Sequence, residues 1–134
     1  MRSMRILLAI SGASLVLLTA APLAAHHSFA AEFDSTKPVK LTGKVTKVEW
    51  TNPHAYFYVD VTDEKTRNVT NWAIEMGSPI ALVRIGWKRT SLKVDDLVTV
   101  EGTLARNKNN LANARSVVLA TTGQRLGAAS SEPQ

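Results

Sequence analysis

The sequence predicts a mainly β domain, an OB-fold-like five-stranded, partly open barrel with one short helix between the third and fourth strands. Apolar and polar residues alternate with period two in five stretches, as in half-buried strands. A helix start, Ser78-Pro79, follows the third stretch. The resulting order of three strands, a helix and two strands is that of the OB-fold, with a small open sandwich as the competing architecture.

The alternation defines each strand in turn. In the first strand the apolar phase slips by one residue near Thr46 and Lys47, which indicates a β-bulge. Turn residues separate the strands, among them Thr51-Asn52-Pro53 and Asp63-Glu64-Lys65. The predicted strands are Val39–Trp50, His54–Val61, Val69–Met76, Leu97–Ala105 and Ala114–Ala120.

The helix is predicted to be short, about two turns. Ser78 caps it, Pro79 suits its first position, and Gly86 ends it. Apolar residues spaced three to four apart are expected to face the core. They are Ile80, Val83 and Trp87.

The N-terminus has the pattern of a secretory signal peptide over residues 1–25. A basic start with Arg2 and Arg5 precedes an apolar stretch and a run of small residues ending at Ala25. Cleavage after Ala21 is disfavoured because Pro22 would directly follow the cleaved bond. Cleavage after Ala24 is disfavoured because Pro22 would occupy the position where signal peptidase prefers a small residue. The apolar stretch is too short to span a bilayer, so no membrane span is expected after cleavage. The protein is therefore predicted to be periplasmic, with His26 first.

The mature chain divides into three predicted parts: an arm over 26–38, the barrel domain over 39–120 and a flexible tail over 121–134. Phe29 and Phe33 are expected to fasten the arm to the barrel. Losing Arg2 and Arg5 reduces 16 basic residues to 14 against 11 acids, so the mature net charge is about +3. This mild surplus, together with export, argues against a nucleic-acid partner. The chain has no cysteine, which excludes disulfides and a thioether-linked lipid anchor.

Three segments resemble an uncharacterised family of small exported bacterial proteins, described as a domain of unknown function. They are His26–Asp34 (HHSFAAEFD), Glu49–Phe57 (EWTNPHAYF), and Trp72–Pro79 with the following Gly86-Trp87. The resemblance covers nearly all of the mature chain and implies a periplasmic location without an established activity. The chain departs from it at the turn before the fourth strand. There Val94-Asp95-Asp96 stands where such proteins commonly have Pro-Gly-Asp, and Asp tolerates such turn positions at modest cost.

The three histidines form the first candidate site. The free amine and Nδ1 of His26 would chelate one metal ion, and an imidazole from His54 or His27 would complete a three-nitrogen site. Such a site resembles the histidine brace of copper proteins and suits Cu(II). Zinc is less favoured because structural zinc sites usually use four ligands, commonly including cysteine. The structural alternative is that His54 only stabilises its turn and that His26 and His27 bind nothing.

The second candidate site is a polar and aromatic groove on the face of strands two and three, where OB-folds bind ligands. The residues assigned to it are Trp50, Asn52, Tyr56, Tyr58, Asn71 and Glu75. The alternative is that the tyrosines belong to an ordinary outer face and that the tryptophans belong to the core.

No catalytic constellation is found in the sequence. There is no cysteine nucleophile, no Gly-flanked serine elbow, and Ser78 is assigned to capping. The sequence therefore predicts a non-catalytic binding protein. The leading hypothesis is a Cu(II)-binding accessory protein with a periplasmic or membrane-bound protein partner. The alternative is an interaction module that uses the strand two–three face without a metal.

Overall fold

A computed structural model of the protein describes residues 29–133. A helical stretch, α1, occupies residues 29–32 and leads directly into the first strand. The predicted signal peptide and the two histidines that follow it lie outside the described residues. The remaining elements are β1 (Phe33–Glu49), β2 (Tyr56–Thr62), β3 (Val69–Glu75), α2 (Pro79–Arg84), β4 (Leu97–Ala105), β5 (Leu111–Leu119) and β6 (Arg125–Gly127).

The strands form one sheet in the order β3-β2-β1-β4-β5-β6, and neighbours in this order are antiparallel. A parallel pairing of β3 with β5 places Ala73 opposite Leu111 and Glu75 opposite Asn113. Strands β1, β2, β3, β5 and β4 therefore form a ring of five, with α2 between β3 and β4. This confirms the predicted OB-fold-like architecture.

The bulge predicted in β1 is confirmed by a register shift between Val45 and Lys47 in its pairing with β2. The long strand pairs with β4 in its first part and with β2 in its last part. Gly43 lies near the change of partner, and a Cβ built there would be 2.3 Å from the carbonyl oxygen of Asp60. Only glycine allows the backbones of β1 and β2 to approach this closely.

The core lies inside the ring, where the inward positions of the strands meet Leu82 from α2. Of the apolar faces predicted for β2 and β3, Phe57, Val59 and Ile74 are fully buried, whereas Val61 and Trp72 are partly buried. Trp87 follows α2, is 2% exposed, and donates a 2.6 Å hydrogen bond from Nε1 to the carbonyl oxygen of Gly127. This bond connects the region after α2 to β6.

The prediction that Ile80 and Val83 face the core is wrong. The N-cap at Ser78 and the proline at the first helical position are confirmed, and Gly86 follows the C-cap with a φ of 103°. However, Leu82 is the buried residue of α2, whereas Ile80 and Val83 are 61% and 58% exposed. The helix has only six residues and lies against the ring along a narrow line. The spacing of its apolar residues therefore did not identify the buried face.

The C-terminal segment differs from the flexible tail predicted for 121–134. Residues 125–127 form β6, which pairs with β5. Leu126 is 9% exposed and Ala128 is fully buried. The segment RLGA is too short for a period to be read from the sequence, and its pairing depends on an edge of β5 that exists only in the folded sheet.

Two strands also begin earlier than predicted. β1 starts at Phe33 rather than Val39, and β5 starts at Leu111 rather than Ala114. In both places polar or proline residues obscure the alternation, and pairing with a neighbouring strand imposes the extended conformation. Among residues 29–133, no helix is long and apolar enough to cross a bilayer.

Candidate functional site

His54 lies in the loop between β1 and β2, directly after a cis Asn52–Pro53 peptide bond. Backbone hydrogen bonds from Ala55 to Gly77 and from Met76 to Ala55 extend the β2–β3 ladder to this point. The carbonyl oxygen of His54 accepts a 2.9 Å bond from the hydroxyl of Thr51. The backbone at His54 is therefore held on both sides.

The imidazole of His54 has one engaged nitrogen. Its Nδ1 lies 3.1 Å from the carbonyl oxygen of Met76 and 3.8 Å from Oε1 of Glu75. A carbonyl oxygen only accepts hydrogen bonds, so this contact places the proton of the neutral ring on Nδ1. Nε2 then carries the lone pair. The side chain is 37% exposed, which makes it accessible to a ligand.

Glu75 is a buried carboxylate beside His54, with 4% of its surface exposed. It accepts a 2.5 Å hydrogen bond from the phenol of Tyr56 and a 3.2 Å bond from the amide of Asn113. Burial, and then the bond to Glu75, raise the pKa of Tyr56 far above its ordinary value. Tyr56 is therefore a neutral donor at physiological pH, and both hydrogen-bond donors to the carboxylate are uncharged.

The hydrogen bonds continue from Asn113 toward the C-terminus. The hydroxyl of Ser130 donates a 2.6 Å bond to Oδ1 of Asn113 and accepts a 3.0 Å bond from the backbone N–H of Glu132. The carboxylate of Glu132 in turn accepts from the hydroxyl of Thr103 at 3.0 Å. A network of hydrogen-bonded polar groups thus runs from Tyr56 across β3, β5 and β4 to Glu132, and Nδ1 of His54 lies 3.8 Å from its Glu75 carboxylate.

The start of the described chain is fastened next to this network. Phe29 and Phe33 are 4% and 2% exposed, and with Leu111 they form a small apolar cluster against Tyr56 and Ala73. The two phenyl rings lie 5.2 Å apart. Phe29 is therefore held at the side chain that bonds to Glu75.

Polar contacts hold the same segment from the β4–β5 loop. Nε of Arg106 donates a 2.7 Å bond to the carbonyl oxygen of Ala30, and its backbone N–H donates to Glu32. Lys108 forms a 3.0 Å salt bridge with the carboxylate of Glu32. The prediction that Phe29 and Phe33 fasten the arm is confirmed, and these basic residues add contacts that the sequence analysis did not identify.

The residues assigned to the strand two–three groove are separated in the fold. Tyr56 and Glu75 belong to the buried network described above. Tyr58 and Asn71 lie farther along the outer face of β2 and β3, the face opposite the core. There the Tyr58 phenol donates a 3.0 Å bond to Glu49, and the Asn71 amide donates a 2.8 Å bond to Asp60.

Trp50 and Asn52 do not join that face. Trp50 packs against the core and meets Trp87 edge to face, with the ring centroids 6.4 Å apart. Its Nε1 is buried without a hydrogen-bond partner among the described residues. Asn52 is exposed in the turn. The alternative reading of Trp50 as a core residue therefore describes its position better than the groove.

Of the three predicted metal ligands, only His54 belongs to the described residues; His26 and His27 lie outside them. Within residues 29–133 there is no group of three histidine, cysteine or acidic side chains placed to hold a metal ion. Any site at His54 must therefore draw further ligands from elsewhere.

A family model covers most of the chain, including the loop that carries His54. Residues 14–114 match the sequence model of DUF6152, described as a family of unknown function. The chain belongs to DUF6152. Among curated proteins, none matches this chain. The membership confirms the resemblance to an uncharacterised domain family and assigns this DUF6152 protein no activity.

The sequence did not predict the roles of four residues at this site: Asn113, Ser130, Glu132 and Arg106. Asn113 and Ser130 lie among small residues in stretches that indicate only a strand or a tail. The sole local signal was an asparagine within a run of small apolar residues, LANA. An uncharged polar residue in a predicted strand becomes informative only when its partner across the sheet is known.

Proposed function

We propose that this DUF6152 protein is an exported, periplasmic, non-catalytic Cu(II)-binding accessory protein. The metal is held by Nε2 of His54 together with the free amine and imidazole of His26. The observation that carries the proposal is the contact between Nδ1 of His54 and the carbonyl oxygen of Met76. A periplasmic or membrane-bound protein would receive or supply the copper.

The His54 contact matches the way in which proteins prepare histidine ligands. A metal-binding imidazole usually donates its other N–H to a carbonyl or a carboxylate, which fixes the tautomer and the ring orientation. His54 has the Met76 carbonyl at 3.1 Å and the Glu75 carboxylate at 3.8 Å on that side. Nε2 is left as the ligand atom.

The charge of Glu75 also favours a cation at this place. A buried carboxylate loses its hydration and is costly unless charge or hydrogen bonds compensate for the loss. Tyr56 and Asn113 supply hydrogen bonds but no charge. Lys108 lies within electrostatic range of Glu75, and a metal ion on Nε2 of His54 would add further positive charge on the far side of the imidazole.

The length of chain between Phe29 and His26 supports a site shared by His26 and His54. Phe29 packs in the cluster that includes Tyr56, and Tyr56 is two residues from His54 along an extended chain. His26 is three residues before Phe29, a reach of about 10 Å for an extended chain. Two strand residues span roughly 7 Å. The chain is therefore long enough for the amine of His26 to meet Nε2 of His54.

The nature of the donors selects the metal. An amine and two imidazoles are three nitrogen ligands, and the cysteine-free sequence provides no thiolate. Nitrogen ligands in a tetragonal array suit Cu(II), which also binds most tightly among the divalent first-row metals. We expect one Cu(II) per protein.

The test is Cu(II) titration of mature protein beginning at His26, followed by calorimetry and electron paramagnetic resonance. We expect one tight equivalent with nitrogen hyperfine structure. His54→Gln should weaken binding at least about tenfold and remove one nitrogen from the spectrum. Tyr58→Phe, on the same strand but outside the network, is the matched control and should bind as wild type. Equal binding by His54→Gln and wild type would reject the proposal.

The role of the free amine needs a separate variant. A four-residue glycine-serine extension before His26 should abolish the tight site. A one-residue extension is unsuitable because it would place His27 third from a new amine, an arrangement that itself chelates Cu(II). Phe29→Ala should weaken binding by roughly tenfold because the effective concentration of the amine near His54 would fall. Phe29→Leu should largely restore it.

The second candidate is an interaction module that uses the outer face of β2 and β3 without a metal. Its support is the Tyr58 ring, which is partly exposed and lies beneath the ammonium group of Lys47 at 5.4 Å. Tyr58→Ala would damage such a module and spare the copper site, whereas the four-residue extension would abolish the copper site and leave the module intact. The two candidates are therefore separated by these variants.

A further inference from the structure

We propose that the surface formed by α2 and the segment after it docks on an anionic lipid bilayer. Three aliphatic side chains are exposed here: Ile80 at 61%, Val83 at 58% and Ile85 at 53%. Ile80 and Val83 are three residues apart in the helix, so they lie side by side on its outer face. Exposed aliphatic side chains grouped in this way are typical of interaction surfaces.

The chain segment that carries these side chains has basic residues and no acidic ones. Residues 76–94 contain no aspartate or glutamate and four basic residues. These are Arg84, Lys88, Arg89 and Lys93. Their summed charge of +4 exceeds the net charge of about +3 of the whole mature chain. Asp95 and Asp96 follow directly, so the whole stretch 76–96 carries a net charge of +2, most of the surplus of the mature chain.

These basic residues also differ from the others in their partners. All four are exposed, and none forms a salt bridge with another described residue. Elsewhere most basic side chains face a carboxylate, as Lys40 and Arg125 face Glu101. Unpaired cations beside exposed aliphatic residues match the two contributions to interfacial membrane binding, insertion of apolar groups and attraction to anionic headgroups.

A groove adjoining the helix would receive a headgroup. It has a volume of about 430 Å³ and is lined by Lys88 and Lys93, with hydroxyl groups from Ser91 and the threonines nearby. Its one acidic residue, Asp96, accepts a hydrogen bond from the backbone N–H of Lys93. Two ammonium groups and several hydroxyl donors fit a phosphodiester. The aliphatic residues would then insert beside it at the level of the headgroups.

The test is flotation of the mature protein with vesicles of pure phosphatidylglycerol and of pure phosphatidylcholine. We expect binding to the first, weakened by salt, and little binding to the second. Ile80→Ser with Val83→Ser should reduce binding about tenfold. Each lost charge should weaken binding about fivefold, so Lys88→Gln with Lys93→Gln should reduce it about twenty-five-fold.

Matched controls exclude general effects. Val69→Ser changes an aliphatic residue that is 59% exposed on β3. Lys44→Gln with Lys65→Gln removes the same net charge from exposed positions elsewhere. Both controls should bind phosphatidylglycerol vesicles as wild type does. If the charge control weakens binding as much as Lys88→Gln with Lys93→Gln, the attraction is unspecific and the proposal fails.

Other occupants would give other results. A dimer in lipid-free sedimentation that Ile80→Ser with Val83→Ser dissociates would assign the surface to a second copy and overturn the proposal. Displacement from vesicles by millimolar inorganic phosphate, with spectral shifts at Lys88, would assign the groove to free phosphate. No flotation with phosphatidylglycerol at low salt would also reject it. None of these outcomes depends on copper, so the proposal stands or falls separately from the copper site.

Discussion

Tyr56 and Glu75 face each other across β2 and β3, and the phenol donates a 2.5 Å hydrogen bond to the buried carboxylate. Glu75 also lies opposite Asn113, because the parallel pairing of β3 with β5 closes the ring at that position. The carboxylate that neighbours His54 is therefore held by donors from two strands on either side of its own. The pairing of β3 with β5 therefore closes the ring and also brings the second donor of the candidate site, Asn113, to Glu75.

Tyr56→Phe should destabilise the protein by about 1–3 kcal/mol, because it removes a donor from a buried carboxylate without relieving the burial. Tyr58→Phe is the matched substitution on the same strand, with a more accessible acceptor in Glu49. Its cost should be below about 1 kcal/mol. Urea denaturation measures both. Equal costs would show that the Tyr56–Glu75 bond does not stabilise the native state.

The two tyrosines should ionise late. Burial raises the pKa of both, and acceptance by Glu75 and by Glu49 adds to the shift. Because the folded pKa values exceed the unfolded value of about 10, this stabilisation is complete below pH 10 and is lost as the pH rises beyond it.

Absorbance of the phenolate near 295 nm tests this expectation. The native protein at pH 10 should be less than half ionised, and the urea-unfolded chain about half ionised. Tyr56→Phe isolates Tyr58, which should ionise first because its acceptor carboxylate is less buried. Coincident native and unfolded titration curves would contradict the hydrogen bonds described for both phenols.

Leu126→Ala should destabilise the protein by about 2–5 kcal/mol, since Leu126 packs in the core from β6. Leu97→Ala makes the same chemical change at a side chain that is 45% exposed and should cost below about 1 kcal/mol. Thermal or urea denaturation compares the two. A negligible effect at Leu126 would mean that the end of the chain behaves in solution as the flexible tail that the sequence predicted.

A substitution in the turn before β4 should increase the stability of the protein. Asp95 has a φ of 75°, in the left-handed region that favours glycine. Asp95→Gly should stabilise the protein by up to about 1 kcal/mol, because relief of backbone strain outweighs the added freedom of the unfolded chain. Asp96→Gly should instead destabilise it by removing the acceptor for the Lys93 N–H. If denaturation curves show that both substitutions stabilise the protein, or that both destabilise it, this account is refuted.

The fold could be predicted largely from local patterns. Alternation along β2 assigned Phe57 inward and Tyr58 outward, and the phase slip identified the bulge in β1. Each of these features depends on residues that are close in the chain. The same local reading was wrong for Ile80 and Val83, because a six-residue helix can bury either side and the ring selected Leu82.

The candidate site was less predictable. His54 was identified because its residue type carries chemistry, but its Met76 and Glu75 neighbours come from a different strand. Trp50 was assigned to a groove with Asn52 on the basis of adjacency in sequence, yet the bulged end of β1 turns it toward Trp87. Asn113 was not considered, since a single amide has no meaning until its partner is known.

The sequence by itself determined the strands, the helix start, the bulge and the chemistry available at the N-terminus and at His54. Hydrophobic alternation and capping act over a few residues, so these features depend on residues that are close together in the sequence. The tertiary structure decided which carboxylate lies beside His54, that Phe29 is fastened against Tyr56, and that the last residues join the sheet. Those outcomes depend on the closure of β3 onto β5, which pairs segments almost forty residues apart.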